Sequence, residues 1–268
     1  MMCFDDRTIA LEEDENHCLN FKQKNVYSMK NNPMCGVTLS KWASILYKYW
    51  QYIEIQYIPR VIFITIMSIV NSALSFVENF LYGASIQSQQ LPDNPVFIIG
   101  HPRTGTTLIH NLLSSDESSF YYCTTFCAGF PSSFIWFEKY GKRLFSSVIE
   151  KTRPMDSMPL HFDLPQEDEC ATNVLSGGVS YYMPLWLMKQ EPEFRRYLDF
   201  SPTEGGNPQD EAQWTASFTY LLKKLSFRAK RNNSIGSRRL LIKSPVHTAR
   251  VPLLRKLFPR AQFIYVHR

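Results

Sequence analysis

The sequence predicts a three-layer α/β/α fold built on a parallel sheet and preceded by an N-terminal helical segment. Three observations carry that expectation. The run VFIIG, starting at Val96, passes through a glycine-containing turn into an amphipathic stretch, the order of strand, loop and helix. Farther on, LLIKSPVHTARVPLLRKLFPRAQFIYV sets two apolar runs on either side of a helical pattern, and a strand, a helix and a strand in close succession imply a parallel sheet with a right-handed crossover. Between Lys41 and Tyr82 the chain reads as apolar and helical. With 268 residues, 44% hydrophobic and 20% charged, there is material for one full core and an accessory segment.

Residues 1–33 are polar and acid-rich around LEEDEN, without the basic and apolar regions of a cleaved secretion signal, and are expected to form a flexible tail. Residues 34–90 form the helical segment. Its second half, VIFITIMSIVNSALSFVENFLY, has the apolar length of a bilayer crossing, for which about 20 residues suffice. Yet Ser68, Asn71, Ser72, Ser75 and Glu78 recur at three- and four-residue steps, which draws a polar stripe along one side and leaves the other to isoleucine, leucine, phenylalanine and valine. That is an amphipathic helix. Tyr47, Tyr49, Trp50, Tyr52 and Tyr57, with Lys48 and Arg60, suit the border between water and lipid. Two readings stand: a helical pair packed on the domain, and membrane contact through residues 45–82.

Residues 91–268 form the main domain. Asp93-Asn94-Pro95 turns the chain, Val96 to Ile99 is a short buried strand, and Thr106 to Leu113 a helix with Leu108, Leu112 and Leu113 facing inward. In that geometry the loop amides and the unpaired amides of the first helical turn converge on one oxyanion. A nucleotide-binding phosphate loop reads GxxxxGK[ST]. Here Gly100 and Gly105 keep the spacing, Thr107 holds the hydroxyl position, and Thr106 stands where the lysine should be. The fold expected is that of the P-loop NTPases, but the fixed cation in the loop is Arg103, and triphosphate hydrolysis is poorly served. A ligand of lower charge fits better.

Beyond the loop, NPQDEAQWTASFTYLLKKL has Pro208 in its first turn, Asp210 and Glu211 at the positive end, and Trp214, Phe218, Leu221, Leu222 and Leu225 along one face of a helix. The basic run from Arg228 to Arg239 reads as a solvated helix end. Leu240 to Lys243 is a strand, Thr248 caps a helix carrying Val251, Leu254, Leu257 and Phe258, and Phe263 to Val266 is a second buried strand. The net charge of +5 is modest and scattered, and no nucleic-acid signature is present. The 6 cysteines show no paired CxxC spacing. Cys123 and Cys127 read as buried thiols, and His110 and His161 as structural.

The stretch HPRTGTT resembles the 5′-phosphosulfate loop of the sulfotransferases, which runs Pro-Lys/Arg-Ser/Thr-Gly-Thr-Thr after a strand. Two further stretches carry the resemblance. RPMDSMPLHFDLPQEDECA, from Arg153, is similar to the arginine-proline and Leu-Pro-Gln-Glu-Asp-Glu segment of the broad group found in bacteria and eukaryotes. LLIKSPVHTARVPLLRKLFPRAQFIYVHR matches in order a lysine and serine, a histidine, a helix, and a strand closing on an arginine. The resemblance implies 3′-phosphoadenosine 5′-phosphosulfate (PAPS) as co-substrate, no metal, and a hydroxyl or amine acceptor on a small molecule, lipid or glycan. It implies that Arg103 meets the bridging and sulfuryl oxygens, that Thr104, Gly105, Thr106 and Thr107 cradle the 5′-phosphate, that Lys243 lies near the sulfuryl oxygens and the leaving phosphate, and that Arg268 binds the 3′-phosphate. In the family this arginine is followed by a turn, a serine and further helices, so the domain is expected to be incomplete at Arg268.

The base is left between His247, which stands two positions farther from Lys243 than the family's histidine, and the carboxylates Glu167 and Glu169, with His247 preferred. Each has a structural alternative. His247 could cap a helix, Lys243 could be a strand-end charge, and Glu167, Asp168 and Glu169 could be the acidic first turn of a helix after Pro165. Two other functional classes remain beside the transferase: a kinase or NTPase, opposed by Thr106, and a catalytically silent membrane-associated nucleotide-binding protein. Membrane-associated placement, on the lumenal or the cytosolic face, and a cytoplasmic one are all compatible with the sequence.

Overall fold

The structure is a computed structural model and describes residues 30, 32, 34–147, 149–150, 152, 158–232, 236 and 238–267. Nearly all of the 1–33 tail, Arg153 to Ser157, and Arg268 lie outside the described residues. In chain order the elements are α1 (Leu39–Tyr49), α2 (Ile58–Gln87), β1 (Val96–Gly100), α3 (Thr106–Ser114), β2 (Phe120–Tyr122), α4 (Thr125–Gly129), α5 (Phe134–Leu144), α6 (Asp168–Ser176), α7 (Glu191–Phe194), α8 (Pro208–Arg231), β3 (Arg239–Lys243), α9 (Val251–Leu257) and β4 (Gln262–Val266).

The strands make one parallel sheet in the order β2-β3-β1-β4. The central β1 is buried throughout, as an apolar run covered on both faces must be. β4 was expected to be buried too. Among the described residues it has a neighbour on one side only, is half-exposed, and turns Tyr265 to solvent. Gly100 ends β1 at φ 149°, and a Cβ there would fall 2.3 Å from the carbonyl oxygen of Val266, so no side chain fits where β4 runs alongside.

Three further sequence expectations are corrected. Leu108 and Leu112 face solvent, whereas Ile109 and Leu113 pack on Val96, Ile98 and Leu241. The phase of α3 is set by the turn that launches it: Gly105 enters at φ 97°, Thr106 tucks beneath Gly100, and His110, one turn on, is therefore inside. Burial pulls the His110 imidazole down to about 3, so it stays neutral. Thr248 caps no helix. Its hydroxyl accepts from the Gly100 N–H at 2.9 Å and donates to the Gly100 carbonyl at 3.2 Å, which locks the 245–248 turn to the end of β1. Arg228 is not a solvated helix end either, because both its Nε and Nη2 reach the Glu138 carboxylate, at 2.7 and 2.8 Å. By contrast α8 is capped by Asn207 and buries Trp214, Phe218, Leu221, Leu222 and Leu225 as its pattern demands.

The N-terminal helices share the main core, where Met34, Trp42, Ile45 and Ile64 belong to one cluster with Phe126, Phe134 and Phe218. Helix α2 enters that core by its polar stripe. Ser68, Asn71 and Glu78 are buried; Asn71 donates to the Cys35 carbonyl at 2.6 Å, and Glu78 accepts from the Ile135 N–H at 2.7 Å. Glu78 also pairs with Lys224, both at 0% exposure, and Lys224 donates to the Pro131 carbonyl at 2.5 Å and lies over the Phe134 ring. Burial raises the pKa of Glu78 and lowers that of Lys224, as desolvation of a charged pair requires. Replacing Lys224→Met leaves the carboxylate buried and unpaired, and should cost about 3–5 kcal/mol in urea unfolding, whereas Glu78→Leu with Lys224→Met should recover most of the loss.

Candidate active site

The loop from His101 to Gly105 is a tight turn. The Thr104 hydroxyl and N–H both reach the His101 carbonyl, at 2.8 and 3.3 Å, and Arg103 sits at φ 72°, a left-handed conformation that costs a residue with a side chain about 1–2 kcal/mol. Such local strain is retained where the surroundings impose it, and it clusters at functional loops. The first helical hydrogen bond runs from the Ile109 N–H to the Gly105 carbonyl at 3.1 Å. The amides of Thr106, Thr107 and Leu108 precede it and lack intrahelical acceptors, so together they present a positive end to an anion. Arg103 is exposed on the same turn.

At the end of β3, Lys243 is 2% exposed. Its ammonium donates to the Thr107 hydroxyl at 3.2 Å and pairs with one oxygen of Glu167, while the Tyr182 hydroxyl donates to the other oxygen. Glu167 precedes α6 in extended conformation and remains partly open at 15% exposure. Thr107, Asn111, Leu164, Pro165, Gln166 and Lys243 line a narrow cleft there. An anion-binding turn, a buried cation and an accessible carboxylate therefore meet in one place.

The next two acids turn the other way. Asp168 accepts from His247 Nε2 at 2.8 Å, both groups being almost fully buried. Glu169, at 0% exposure, takes Arg250 Nη1 at 2.7 Å, the Ser180 hydroxyl at 2.6 Å and Trp214 Nε1 at 3.3 Å. Arg250 also donates to the carbonyls of Leu198 and Tyr197, and its guanidinium lies against both the Phe200 and the Trp214 rings. The His247 ring is walled in by Phe97, Trp214 and Phe218, and its Nδ1 has no hydrogen-bond partner among the described residues. Asp168, Glu169 and His247 place one ligating atom each within 4.8 Å of the others. Glu169 already pairs there with Arg250, whereas Asp168 Oδ1 and His247 Nδ1 have no hydrogen-bond partner among the described residues.

Residues 95–268 match the model of a sulfotransferase family. The chain belongs to that family. Two relatives, each named omega-hydroxy-beta-dihydromenaquinone-9 sulfotransferase Stf3, from Mycobacterium bovis and Mycobacterium tuberculosis, are 30% identical over 211 residues, which is 76% of this chain and 49% of the relative. The chain thus spans about half the length of the curated relatives it matches. The crystal structure of sulfotransferase STF1 from Mycobacterium tuberculosis superposes with a TM-score of 0.51 at 16% identity, covering 95% of this chain and 67% of that one, and supports the α/β fold.

Of the sulfotransferase residues expected from sequence, Arg103, Thr104, Gly105, Thr106 and Thr107 form the turn, and Lys243 and Glu167 converge beside it. His247 and Glu169 lie behind it, in the buried ionic layer. Arg268 is outside the described residues. Tyr182 and Arg250 went unread: Tyr182 sits in an aromatic run without a spacing signal, and Arg250 resembles any basic residue near a helix start.

Burial alone would raise the pKa of Glu169, but the charge and hydrogen bond of Arg250 outweigh it and the net shift is downward. A depressed carboxyl stabilises the fold fully above its ordinary value of 4.5, and that contribution disappears as the pH falls through the folded-state value. Glu169→Gln should therefore be less stable at neutral pH, with a flatter acid limb in a thermal-melting series from pH 7 downward.

Proposed function

We propose that this protein transfers a sulfuryl group from PAPS to an acceptor hydroxyl, with Glu167 as the base. The convergence of Lys243, Glu167 and Thr107 at the mouth of the anion-binding turn carries this reading. In the proposed reaction the acceptor oxygen attacks sulfur opposite the bridging oxygen. A new S–O bond forms, the bond from sulfur to the bridging oxygen breaks, and its electron pair leaves on the 5′-phosphate of 3′,5′-adenosine bisphosphate. The acceptor proton passes to the Glu167 carboxylate. The amides of Thr106 and Thr107, with Arg103, bind the donor's anionic oxygens, and Lys243 stabilises the charge that develops on the leaving phosphate. A transferring sulfuryl group carries a single negative charge, so amides and two side-chain cations are adequate partners for it.

His247 serves this site as a positioning residue. Enclosed at 0% exposure and bonded to Asp168, it has no open side toward an acceptor. Tyr182 and Lys243 orient the two oxygens of Glu167. Among hydroxyl acceptors, one borne on a lipid fits best, because the mycobacterial relatives are named for an omega-hydroxylated dihydromenaquinone and helix α2 turns an apolar face outward. The same face supports a membrane-associated location.

Glu167→Gln should lower kcat by about 10²–10⁴-fold, while calorimetric affinity for 3′,5′-adenosine bisphosphate stays within about twofold. His247→Asn should instead lower the thermal midpoint and leave the folded fraction active. A folded, inactive His247→Asn protein beside an active Glu167→Gln protein would transfer the base role to the histidine. Magnesium-dependent ATP turnover would point to a nucleotide hydrolase instead.

A further inference from the structure

Helix α2 is amphipathic in the opposite sense to a helix of a soluble domain. Its polar stripe is inside, and Ile62, Ile66, Ile69, Phe76, Phe80 and Leu81 are exposed, Phe80 at 82%. At 3.6 residues per turn these side chains cover an arc of about 140° along a helix about 45 Å long. From Val61 to Gln87 the one charged residue is Glu78, which faces Lys224 in the core. The exposed face therefore carries no charge over its whole length. Monomeric soluble proteins rarely expose an apolar surface of this extent.

We propose that this face docks the domain on a lipid surface with α2 lying in the plane of the interface, and that the docked face leads to the active-site cleft. Three observations favour lipid as the occupant, and a fourth sets the orientation. The helix has the length of a segment suited to hydrocarbon, and an 18-residue stretch of it has a mean hydropathy of 1.9. The arc is wider than the narrow seam by which two helices pair, so a second copy would leave its margins uncovered. At its N-terminal end stand the exposed Tyr47, Trp50 and Tyr52 with Lys48, the mixture of amphipathic rings and cations that suits a headgroup layer. A crossing orientation would strip Glu78 from Lys224 and Asn71 from the Cys35 carbonyl, exposing a carboxylate to hydrocarbon and leaving a buried ammonium unpaired, so the helix lies flat.

The route to the site follows from the contacts at that end. Glu54, beside the exposed Ile55, pairs with Lys189 at 2.5 Å, and Trp42 of α1 meets Trp186 edge-on at 5.2 Å. Both partners belong to the segment that holds Tyr182 on Glu167 and exposes Leu185 and Met188. Leu185 and Met188 are thus exposed on the segment that runs from the Tyr182–Glu167 contact to the Glu54–Lys189 pair near the start of α2. An acceptor hydroxyl carried on a lipid would reach Glu167 along it. This last step rests on the transferase reading above; the docking does not.

Flotation with phosphatidylcholine vesicles, with and without phosphatidylglycerol, tests the docking. The unaltered chain should float with both, more strongly when anionic lipid is present, and Ile66→Glu with Phe80→Glu should reduce the floating fraction at least tenfold without moving the thermal midpoint. Leu108→Glu with Leu112→Glu, on an exposed apolar site of another element, should float normally. Quenching by bromolipids of probes at Ile62, Ile69 and Phe80 should report one shallow depth, whereas a graded depth would mean a crossing helix. Failure to float, or a concentration-dependent dimer dissolved by the Ile66/Phe80 change, would overturn the proposal in favour of no docking or of a second copy. For the route, Met188→Glu should impair sulfation of a vesicle-borne long-chain alcohol more than of a short soluble alcohol. Equal impairment would overturn the route, and turnover of neither alcohol by the unaltered chain would sink the transferase reading while leaving flotation intact.

Discussion

Two buried polar contacts, the hydrogen bond of Asp168 with His247 and the ion pair of Glu169 with Arg250, join the start of α6 to the turn that follows β3. Taking such groups out of water is expensive, and they persist here because their partners are close. Glu169 is met by a guanidinium, a hydroxyl and an indole N–H, and Asp168 by the imidazole. The first turn of α6 favours both acids on electrostatic grounds as well. Since Lys243 precedes that turn and Glu167 precedes α6, the clamp fixes the separation of the two groups on which the proposed chemistry rests. Its failure would part them without touching either.

The same clamp explains why three consecutive acids have different tasks. Asp168 and Glu169 are helical and point into a layer of aromatic rings formed by Phe97, Phe200, Trp214 and Phe218. Glu167 is extended at φ −66° and ψ 124°, one step before the helix, and its side chain meets Lys243 and Tyr182 instead. Burial raises the pKa of Asp168, and the net shift of Glu169 is downward because Arg250 prevails over burial. The electrostatic background of the site is thereby set by groups that no acceptor reaches.

Helix α2 obeys an analogous rule at larger scale. A polar residue inside a protein is tolerable when bonded, and Asn71 and Glu78 each have partners from distant segments, so the polar stripe can serve as the packing face. The apolar side is then left to whatever medium the protein meets. The proposed in-plane lipid contact and the proposed lipid-borne acceptor are both consistent with that orientation.

The strand, loop and helix at Val96 to Ser114, the capped helix from Pro208, and the sulfotransferase loop were legible in the sequence, because they depend on local periodicity, glycine conformation and capping, which neighbouring residues control. The convergence of Lys243 and Glu167 was legible only as motif order. Whether His247 or Glu167 faces the cleft was not, since both are short polar side chains near helix starts and only the packing of Phe97, Trp214 and Phe218 encloses one of them. Periodicity likewise gave α2 two faces without saying which turns inward. That was decided by Lys224 and the Cys35 carbonyl, partners separated from Glu78 and Asn71 by long stretches of chain, whose charge and hydrogen-bonding capacity become relevant to the helix only when the fold brings them together.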